Sequence, residues 1–344
     1  MKKTKSDFMK SILIPGGAGY VGSKLIPVLL KKRYKVIVYD LYMFGEAVFK
    51  EHKNNPNLIE IKDDIRNLKS LEKALLGVDY VIHLACISND PSFELNPKLG
   101  KSINLDSFEP FVKLCKKHNI KRFIYASSSS VYGVKEEKNV TEDMSLEPLT
   151  DYSKFKAECE KILFKYSDES FIGTVIRPAT VCGYGPRQRL DVIVNILTNH
   201  AYHNGIIKVV GGPQLRPNIH IDDMVNAYIT LLEAPKDKIK DQIFNAGYEN
   251  FSVSRLSEMV KNIVSKKREV KLEVIPTNDN RSYHISSEKI NKILGFKPKY
   301  NIEDAVNGLV DAFENKKLKD PMNNKLYYNI ATMKELNLEW KWER

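Results

Sequence analysis

A glycine-rich turn near the N-terminus constrains this chain more than any other feature of its sequence. Residues 11–14 form a short apolar run, and the segment GGAGYVG at residues 16–22 follows it directly and opens a predicted helix. Glycines at this spacing allow a tight turn and let the backbone approach a pyrophosphate, which the free N–H groups at the helix start then bind. The pattern therefore predicts a dinucleotide site that includes Gly16, Gly19, Tyr20, Val21 and Gly22.

An acidic residue at the end of the second predicted strand indicates which dinucleotide binds. Asp40 follows the glycine turn by about 20 residues, which is where a carboxylate binds the hydroxyl groups of the adenosine ribose. Because a carboxylate at that position repels a 2′-phosphate, we expect NAD rather than NADP as the cofactor.

The first half of the chain alternates short apolar runs with helical patterns. Strands are predicted at residues 11–14, 35–39, 58–61, 80–84, 122–126 and 171–176, and helices at residues 20–32, 68–76, 98–118 and 151–166. Repeated β-α-β units with right-handed crossovers give a doubly wound parallel sheet, so the expected fold class is α/β of the Rossmann type.

Beyond residue 181 the predicted elements become shorter and richer in Pro and Gly. This change predicts a smaller, mixed C-terminal cap that covers the C-terminal edge of the sheet and binds the substrate. We expect an NAD-binding domain at residues 10–180 and 218–248, a cap at 181–217 and 249–320, and a tail at 321–344.

Composition limits the kinds of partner and compartment. No apolar run approaches the roughly 20 residues of a membrane helix, and the basic N-terminus precedes too short an apolar stretch for a secretory signal. The net charge of +11 is spread along the chain, which favours solvated helix ends over nucleic-acid binding. The four cysteines are far apart and form no C-x-x-C pair, so reduced thiols in the cytoplasm and no metal site are expected.

Two further segments carry the predicted chemistry. The segment YSKFK reads Y-x-x-x-K, and because positions i and i+4 share a helix face, Lys156 can lie near the Tyr152 phenol and lower its pKa, making it a general base. Upstream, ASSSSVYG at residues 126–133 ends the fifth predicted strand, where a hydroxyl group can bind the same substrate oxygen. Each segment alone is common, since a serine run is often a polar turn, but with the glycine turn their order is specific.

With these segments the chain resembles the NAD-dependent epimerase/dehydratase family, the extended short-chain dehydrogenases/reductases that act on nucleotide sugars. The resemblance covers roughly residues 10–320. It rests on GGAGYVG, the acid of VIVYD, DDIRN, VIHLACISNDP, SINLDS, FIYASSSSVYG, YSKFKAECE, IRPATVCGYGPR, RPNIHIDDM, IFNAGYENFSV and RSYHISSEKINKILGFKP.

The resemblance implies a role for each site residue. Ser128 would be the catalytic Ser/Thr, Tyr152 the base and Lys156 its tuner, with Tyr152 and Lys156 also contacting the cofactor. The remaining cofactor contacts would be Asp64, Ile65, Leu84, Ala85, Ser127 and Pro178. A nucleotide-diphosphate sugar would contact Ser128, Ser129, Tyr132, Thr180, Arg187, Arg216 and Arg281. Arg216 and Arg281 would hold its diphosphate, because guanidinium groups make bidentate hydrogen bonds to phosphate. The resemblance also implies a homodimer formed by the helices at 98–118 and 151–166.

Departures from the family pattern bear on the reaction. The 4,6-dehydratases carry Asp-Glu directly after the catalytic Thr, and this chain has Ser129 and Ser130 there, neither of which can protonate a leaving hydroxyl group. Thr180 replaces an Asn that many members carry, and the run RQRLD at 187–191 adds two cations near the site, which contact either the sugar and phosphates or only the solvent. Dehydration is therefore disfavoured, and we expect a C4 epimerase in which Tyr152 takes the C4 hydroxyl proton, NAD takes the C4 hydride, and the keto-sugar accepts hydride back on its other face.

Other functions remain open at the level of sequence. Residues 177–223 also resemble enzymes that oxidise GDP-heptoses at C4, so the chain could be a C4 dehydrogenase that releases a keto-sugar. A keto-sugar reductase is a further alternative, and so is a non-catalytic NAD-sensing protein, although such proteins often lose the Tyr–Lys pair. The tail carries Trp340 and Trp342, to which no function is assigned.

Overall fold

A parallel β-sheet lies at the centre of this computed structural model, which describes residues 9–137, 139–277 and 282–337. The strands of all the sheets, in chain order, are β1 (Ser11–Pro15), β2 (Lys35–Asp40), β3 (Leu58–Lys62), β4 (Tyr80–His83), β5 (Arg122–Ala126), β6 (Ile172–Pro178), β7 (Thr180–Cys182), β8 (Ile206–Val210), β9 (Leu215–His220), β10 (Gln242–Ala246), β11 (Glu249–Ser252) and β12 (Lys271–Ile275).

Helices cover both faces of this sheet and build the rest of the molecule. They are α1 (Tyr20–Lys31), α2 (Leu68–Ala74), α3 (Asp90–Glu94), α4 (Pro97–Lys101), α5 (Phe108–Lys117), α6 (Asp151–Tyr166), α7 (Ile193–Asn204), α8 (Ile221–Glu233), α9 (Lys236–Ile239), α10 (Val253–Val264), α11 (Glu288–Leu294), α12 (Ile302–Glu314) and α13 (Asn329–Leu336).

The central sheet has seven strands in the order β10-β6-β5-β4-β1-β2-β3, and every neighbouring pair is parallel. The order reverses between β1 and β4, and ligands of such sheets bind at that switch point, beyond the carboxyl ends of the strands. The six predicted strands are present with ends within two residues of those observed. The predicted doubly wound α/β fold is therefore confirmed.

Two apolar layers explain why these strands are nearly continuous runs of Ile, Val and Leu. One layer includes Leu25 and Leu29 of α1 and Met224 of α8, and the opposite layer includes Phe111 of α5 and Leu163 of α6; all five are buried. Because both faces of a parallel sheet are covered, its strands do not alternate polar with apolar residues.

The predicted helix at 98–118 is interrupted in the structure. It is divided into α4, a π-helical turn at Ser102–Asp106, and α5. The turn presents the buried Asn104, whose side chain accepts a hydrogen bond from the Ile87 nitrogen (2.8 Å) and donates one to the Ile87 oxygen (3.0 Å). Widened turns of this kind often occur near functional sites, and this one fixes the loop that follows β4.

The predicted smaller, mixed cap is also present. It contains a three-stranded sheet, in which β9 pairs antiparallel with β11 and parallel with β7, and a parallel pair formed by β8 and β12. Helices α7, α10 and α12 share its apolar core through Val194, Leu256 and Val306. No helix in the described parts of the chain is both long and apolar enough to cross a membrane.

The C-terminal strap, defined here as residues 316–336, runs from the cap back to the central sheet. Leu318 packs with Leu190 and Leu309 of the cap, whereas Met333 of α13 belongs to the apolar layer beneath the central sheet. The strap thus connects the two parts of the molecule close to the carboxyl ends of the strands.

Candidate active site

The glycine turn between β1 and α1 has room for no side chain at two positions. Gly16 has φ of +78°, and a Cβ there would overlap the Ala85 backbone, while a Cβ on Gly22 would overlap the carbonyl group of Gly17. Gly19 is the N-cap of α1 and offers no side-chain cap, so the first N–H groups of the helix keep their hydrogen-bonding capacity. This cradle fits a dinucleotide pyrophosphate.

Asp40 marks the other end of the cradle. Its carboxylate accepts hydrogen bonds from the backbone nitrogens of Ala18 (2.9 Å) and Tyr42 (2.8 Å). Burial raises the pKa of Asp40, and these backbone donors oppose that rise. Asp40 lines the same groove as the glycine turn, which is the position that a ribose-binding acid requires.

Tyr152 and Ser128 come together in the groove. Tyr152 is half-buried, and burial, followed by the neighbouring Cys86 and Asp90, raises the pKa of its phenol well above the usual value. The positive charge of Arg189 and a hydrogen bond with Ser128 act in the opposite direction. The phenol is therefore protonated at neutral pH in this structure. The Ser128 hydroxyl group and the positive charge of Arg189 act on it.

Local sequence explains how these two side chains are held. Thr150 and Ser153 form a capping box at the start of α6, which fixes the first turn and places Tyr152 in it. Ser128 caps the short turn after β5, where its Oγ accepts a hydrogen bond from the Ser130 nitrogen (3.2 Å) and lies 2.9 Å from the Ser130 Oγ.

Lys156 lies on the predicted helix face, and its ammonium group contacts the end of β5. Its Nζ donates a hydrogen bond to the Ala126 oxygen (2.6 Å) and lies 5.9 Å from the centre of the Tyr152 ring. In this structure the pKa of Tyr152 is raised, and the main cation that acts against the rise is Arg189, so tuning of Tyr152 by Lys156 stays a prediction.

Arg189 is a site residue to which the sequence assigned no specific role. Its Nε lies 2.9 Å from the Asp191 Oδ1 and its Nη1 3.3 Å from the Ser88 Oγ. Its Nη2 is buried without a hydrogen-bond partner among the described residues. The run RQRLD at 187–191 signalled two cations near the site, but nothing in the sequence told which one faces Tyr152.

Arg187 lies at a different place from the predicted substrate contact. It is 4% exposed, its Nη2 donates to the Asn329 Oδ1 (2.7 Å), and its guanidinium carbon lies 3.6 Å from the centre of the Phe44 ring. Its charge acts on Asp40 and lowers the pKa of that carboxyl group. The structure therefore places Arg187 at the Asp40 end of the groove.

These groups line one groove of about 520 Å³. The predicted site residues in its wall are Gly16, Gly19, Tyr20, Val21, Gly22, Asp40, Ile65, Leu84, Ala85, Ser127, Ser128, Ser129, Tyr152, Lys156, Pro178, Thr180, Arg187 and Arg216. Residues of the wall that the sequence did not single out include Phe44, Ser88 and Asn329. Asn329 could not have been found from sequence, because it comes from the C-terminal strap.

Two predicted contacts do not match the structure. Tyr132 is 1% exposed, and its hydroxyl donates to the Asn245 Oδ1 (2.7 Å) and accepts from the Arg177 Nη1 (2.8 Å), so it is not available to a substrate. The Asp64 carboxylate is buried outside the groove and accepts hydrogen bonds from the Arg66 Nε (2.9 Å) and Nη2 (2.6 Å).

The predicted diphosphate-binding arginines have different outcomes. Arg216 on β9 lines the groove, with its Nη1 donating to the Leu215 oxygen (2.9 Å) and its guanidinium carbon 5.7 Å from the Tyr283 ring centre. Arg281, like Trp340 and Trp342, lies outside the described residues.

Comparison with known proteins identifies relatives along most of the chain. The model of the NAD dependent epimerase/dehydratase family matches residues 12–247. A Bacillus subtilis (strain 168) protein named as an uncharacterized UDP-glucose epimerase is 30% identical over 307 residues, which are 86% of this chain and 95% of that protein.

Two solved structures share both the fold and a detectable sequence similarity. The UDP-glucuronic acid 4-epimerase of Bacillus cereus, solved with UDP-glucuronic acid and NAD, has a TM-score of 0.79 and 26% identity, covering 89% of this chain and 99% of its own. The UDP-glucose 4-epimerase of Thermotoga maritima, solved with UDP-glucose, has a TM-score of 0.79 and 25% identity, covering 90% and 100%.

Proposed function

Because this chain belongs to the NAD dependent epimerase/dehydratase family, we propose that it interconverts nucleotide sugars that differ in configuration at C4. The chain is an enzyme and NAD is its cofactor. The observation that carries the proposal is the pairing of the Tyr152 phenol with the Ser128 hydroxyl in a groove that also contains the glycine turn and Asp40.

The residues of the cradle fit NAD. Gly16 and Gly22 leave the space that a pyrophosphate backbone contact needs, and Asp40 lies where a ribose diol would bind. Bound NAD supplies a hydride acceptor that, once reduced, becomes the hydride donor. The protein must then supply a base, a hydrogen bond to the reacting oxygen, and a fixed orientation for the sugar.

Tyr152 is the group that moves the proton. As phenolate it accepts the proton of the C4 hydroxyl group, and as phenol it returns a proton to the same oxygen. Ser128 donates a hydrogen bond to that oxygen in both directions. Lys156, bonded to the Ala126 carbonyl, holds the end of β5 against α6 and so maintains the spacing between Ser128 and Tyr152.

Cationic side chains orient the substrate. Arg216 lines the groove from the cap, where its guanidinium group can bind the diphosphate. Arg189 lines the same groove as Tyr152, and its Nη2 has no hydrogen-bond partner among the described residues, so this group can bind a sugar oxygen. Thr180 lines the groove and supplies a smaller polar contact.

The residues after Ser128 argue against dehydration. Ser129 and Ser130 line the groove at the positions where a dehydratase needs acids. Since a hydroxyl group cannot protonate a leaving hydroxyl group at neutral pH, the 4-keto sugar formed in this groove is reduced again rather than dehydrated.

A substrate screen tests the proposal. The protein is incubated with NAD and, separately, with UDP-glucose, UDP-galactose, UDP-glucuronic acid and GDP-linked sugars, and the products are followed by proton NMR and NADH absorbance. We expect one of these to give a mixture of two C4 epimers without net NADH. Stoichiometric NADH with a released keto-sugar would replace the epimerase by the C4 dehydrogenase, and loss of water from the sugar would indicate a dehydratase.

A further inference from the structure

Arg187 is a buried cation with no carboxylate in hydrogen-bond contact among the described residues. Its partners are the Asn329 amide oxygen and the face of the Phe44 ring, and its Nε, also buried, has no hydrogen-bond partner in that part of the chain. Burial, followed by the charge of Arg189, lowers the pKa of Arg187 to about 9. The charges of Asp191 and Asp40 oppose this lowering, but neither carboxylate is hydrogen-bonded to the guanidinium group. Because burying a guanidinium group without a directly bonded anion is unfavourable, Arg187 is suited to bind an anionic ligand.

The position of Arg187 indicates which ligand this is. Its backbone nitrogen donates to the Ser23 Oγ (3.2 Å), which ties its loop to the first turn of α1, the helix that the glycine turn opens. Phe44, under its guanidinium group, comes four residues after Asp40, and all three side chains line the groove. Arg187 therefore lies between the ribose-binding acid and the phosphate-binding helix start.

We propose that Arg187 is the cationic half of the adenosine–phosphate subsite for the dinucleotide, with Asp40 as its acidic half. Asp40 binds the ribose hydroxyl groups, and Arg187 binds the neighbouring phosphate and covers the same ribose. The inference rests on NAD as the cofactor and not on the 4-epimerase reaction. On this proposal Asp40 alone excludes NADP, because Arg187 already supplies the positive charge that a 2′-phosphate would need.

The C-terminal strap positions this arginine. Asn329 is 4% exposed, its backbone nitrogen donates to the Asp191 Oδ2 (2.8 Å), and its Nδ2 donates to the Ser88 Oγ (3.0 Å). Its remaining amide atom, Oδ1, accepts the hydrogen bond from Arg187. Asn329 is thus a positioning residue that holds the guanidinium group over the Phe44 ring.

Equilibrium binding of NAD and NADP to the full chain, without any sugar, tests the proposal. For Arg187→Gln we expect NAD binding weaker by about ten- to a hundredfold, as when a charge-assisted hydrogen bond to phosphate is lost. Asp40→Ser should gain at least tenfold in NADP affinity, and the double variant Asp40→Ser/Arg187→Gln should lose that gain. Asn329→Ala should weaken NAD binding less than Arg187→Gln does.

As a matched control, a different cation, on α1 and outside the groove lining, is removed. Lys24 pairs with Asp222 at 2.9 Å on the surface, and Lys24→Gln should leave both affinities unchanged. The proposal is overturned when folded Arg187→Gln binds NAD as the wild type does, or when the double variant binds NADP as tightly as Asp40→Ser. If Arg187→Gln does not fold, Asp40→Ser decides alone, because it keeps Arg187, and no gain in NADP affinity contradicts the proposal. These binding results do not depend on the sugar screen. If the screen showed no epimerisation, the proposed function would fail while the assignment of Arg187 would still be decided by NAD and NADP binding.

Discussion

The Tyr152 phenol is subject to opposing electrostatic effects that set its chemistry. Burial raises its pKa, while Arg189 and Ser128 oppose the rise. A base with a raised pKa is mostly protonated at neutral pH, so its reactive fraction grows as pH increases. The rate of a reaction that uses this base should therefore rise from neutral to alkaline pH.

Replacing the phenol tests its role directly. Tyr152→Phe removes the proton acceptor and keeps the ring, so kcat should fall by about 10²- to 10⁴-fold while the nucleotide sugar still binds. Tyr166→Phe is the matched control, because Tyr166 lies on the same helix and its hydroxyl contacts Glu109 instead of the groove. A near-normal rate for Tyr152→Phe would remove Tyr152 from the mechanism.

Arg189 should shift the pH profile. Since its positive charge lowers the Tyr152 pKa, Arg189→Gln should move the ascending limb of kcat against pH to higher pH. Lys154→Gln serves as the control, because Lys154 is exposed on α6 and pairs with Asp151 at 3.4 Å. A limb that stays in place, or that moves to lower pH, contradicts the assignment.

Among individual residues, the sequence predicted those whose position in the site follows from their spacing within one short motif. The glycines, Ser128 and Tyr152 lie in short motifs, and the structure brings them to one groove. It could not separate Arg187 from Arg189, because two arginines in one loop reach different ends of the groove only after the loop packs on α1. It also misplaced Tyr132, whose hydroxyl is taken by the buried Arg177.

The glycine turn is the element on which cofactor binding depends most. A Cβ on Gly22 would overlap the Gly17 carbonyl group, so the turn between β1 and α1 would have to open to admit it. Gly308 of α12 provides the opposite case, because a Cβ there meets no atom within 4 Å.

We expect opposite effects from the same substitution at these two positions. Gly22→Ala should lower the melting temperature and weaken NAD binding. Gly308→Ala should raise the free energy of unfolding by about 0.5–1 kcal/mol, because alanine favours a helix over glycine, and should leave NAD binding unchanged. Thermal unfolding and equilibrium binding measure both, and a Gly22→Ala protein that binds NAD normally contradicts the account of the turn.

Elements defined by local periodicity were predicted well and those shaped by tertiary contacts were not. Strands β1 to β6 and helix α6 agree with the sequence pattern because each is one apolar or amphipathic run. The predicted continuous helix at 98–118 is instead interrupted by a π-helical turn, which contains Asn104, and the Asn104 side chain is hydrogen-bonded to the distant Ile87 backbone. Strand β10 was not predicted, since its short sequence QIFNA becomes a strand through its pairing with β6.

For the molecule as a whole, the C-terminal strap is the feature that the sequence least foretold. Nothing local in residues 316–336 indicates that Asn329 reaches the groove or that Met333 joins the core beneath the sheet. The domain boundaries derived from sequence stay a prediction. The small sheets of the cap lie within the predicted cap segments apart from β7, which begins one residue before 181, and β9, which runs past residue 217.

Self-association is a prediction at the same scale. The half-buried side chains of Leu114 on α5 and Ile162 on α6 could be covered further by a second copy of the chain. We expect light scattering to give about twice the chain mass of 39.5 kDa, and Ile162→Glu to reduce it to one chain. Lys161→Glu, at the exposed neighbouring position, is the control. A wild-type mass of one chain excludes the dimer.

The central claim is that hydride leaves C4 and returns to C4 inside one groove, with Tyr152 moving the proton. It is tested most directly with the nucleotide sugar that the screen converts, labelled with deuterium at C4 and followed by NMR in ordinary water. The account predicts that the C4 epimer keeps its deuterium and that Tyr152→Phe forms almost none of it. Deuterium found in the solvent or in released NADH would contradict the account.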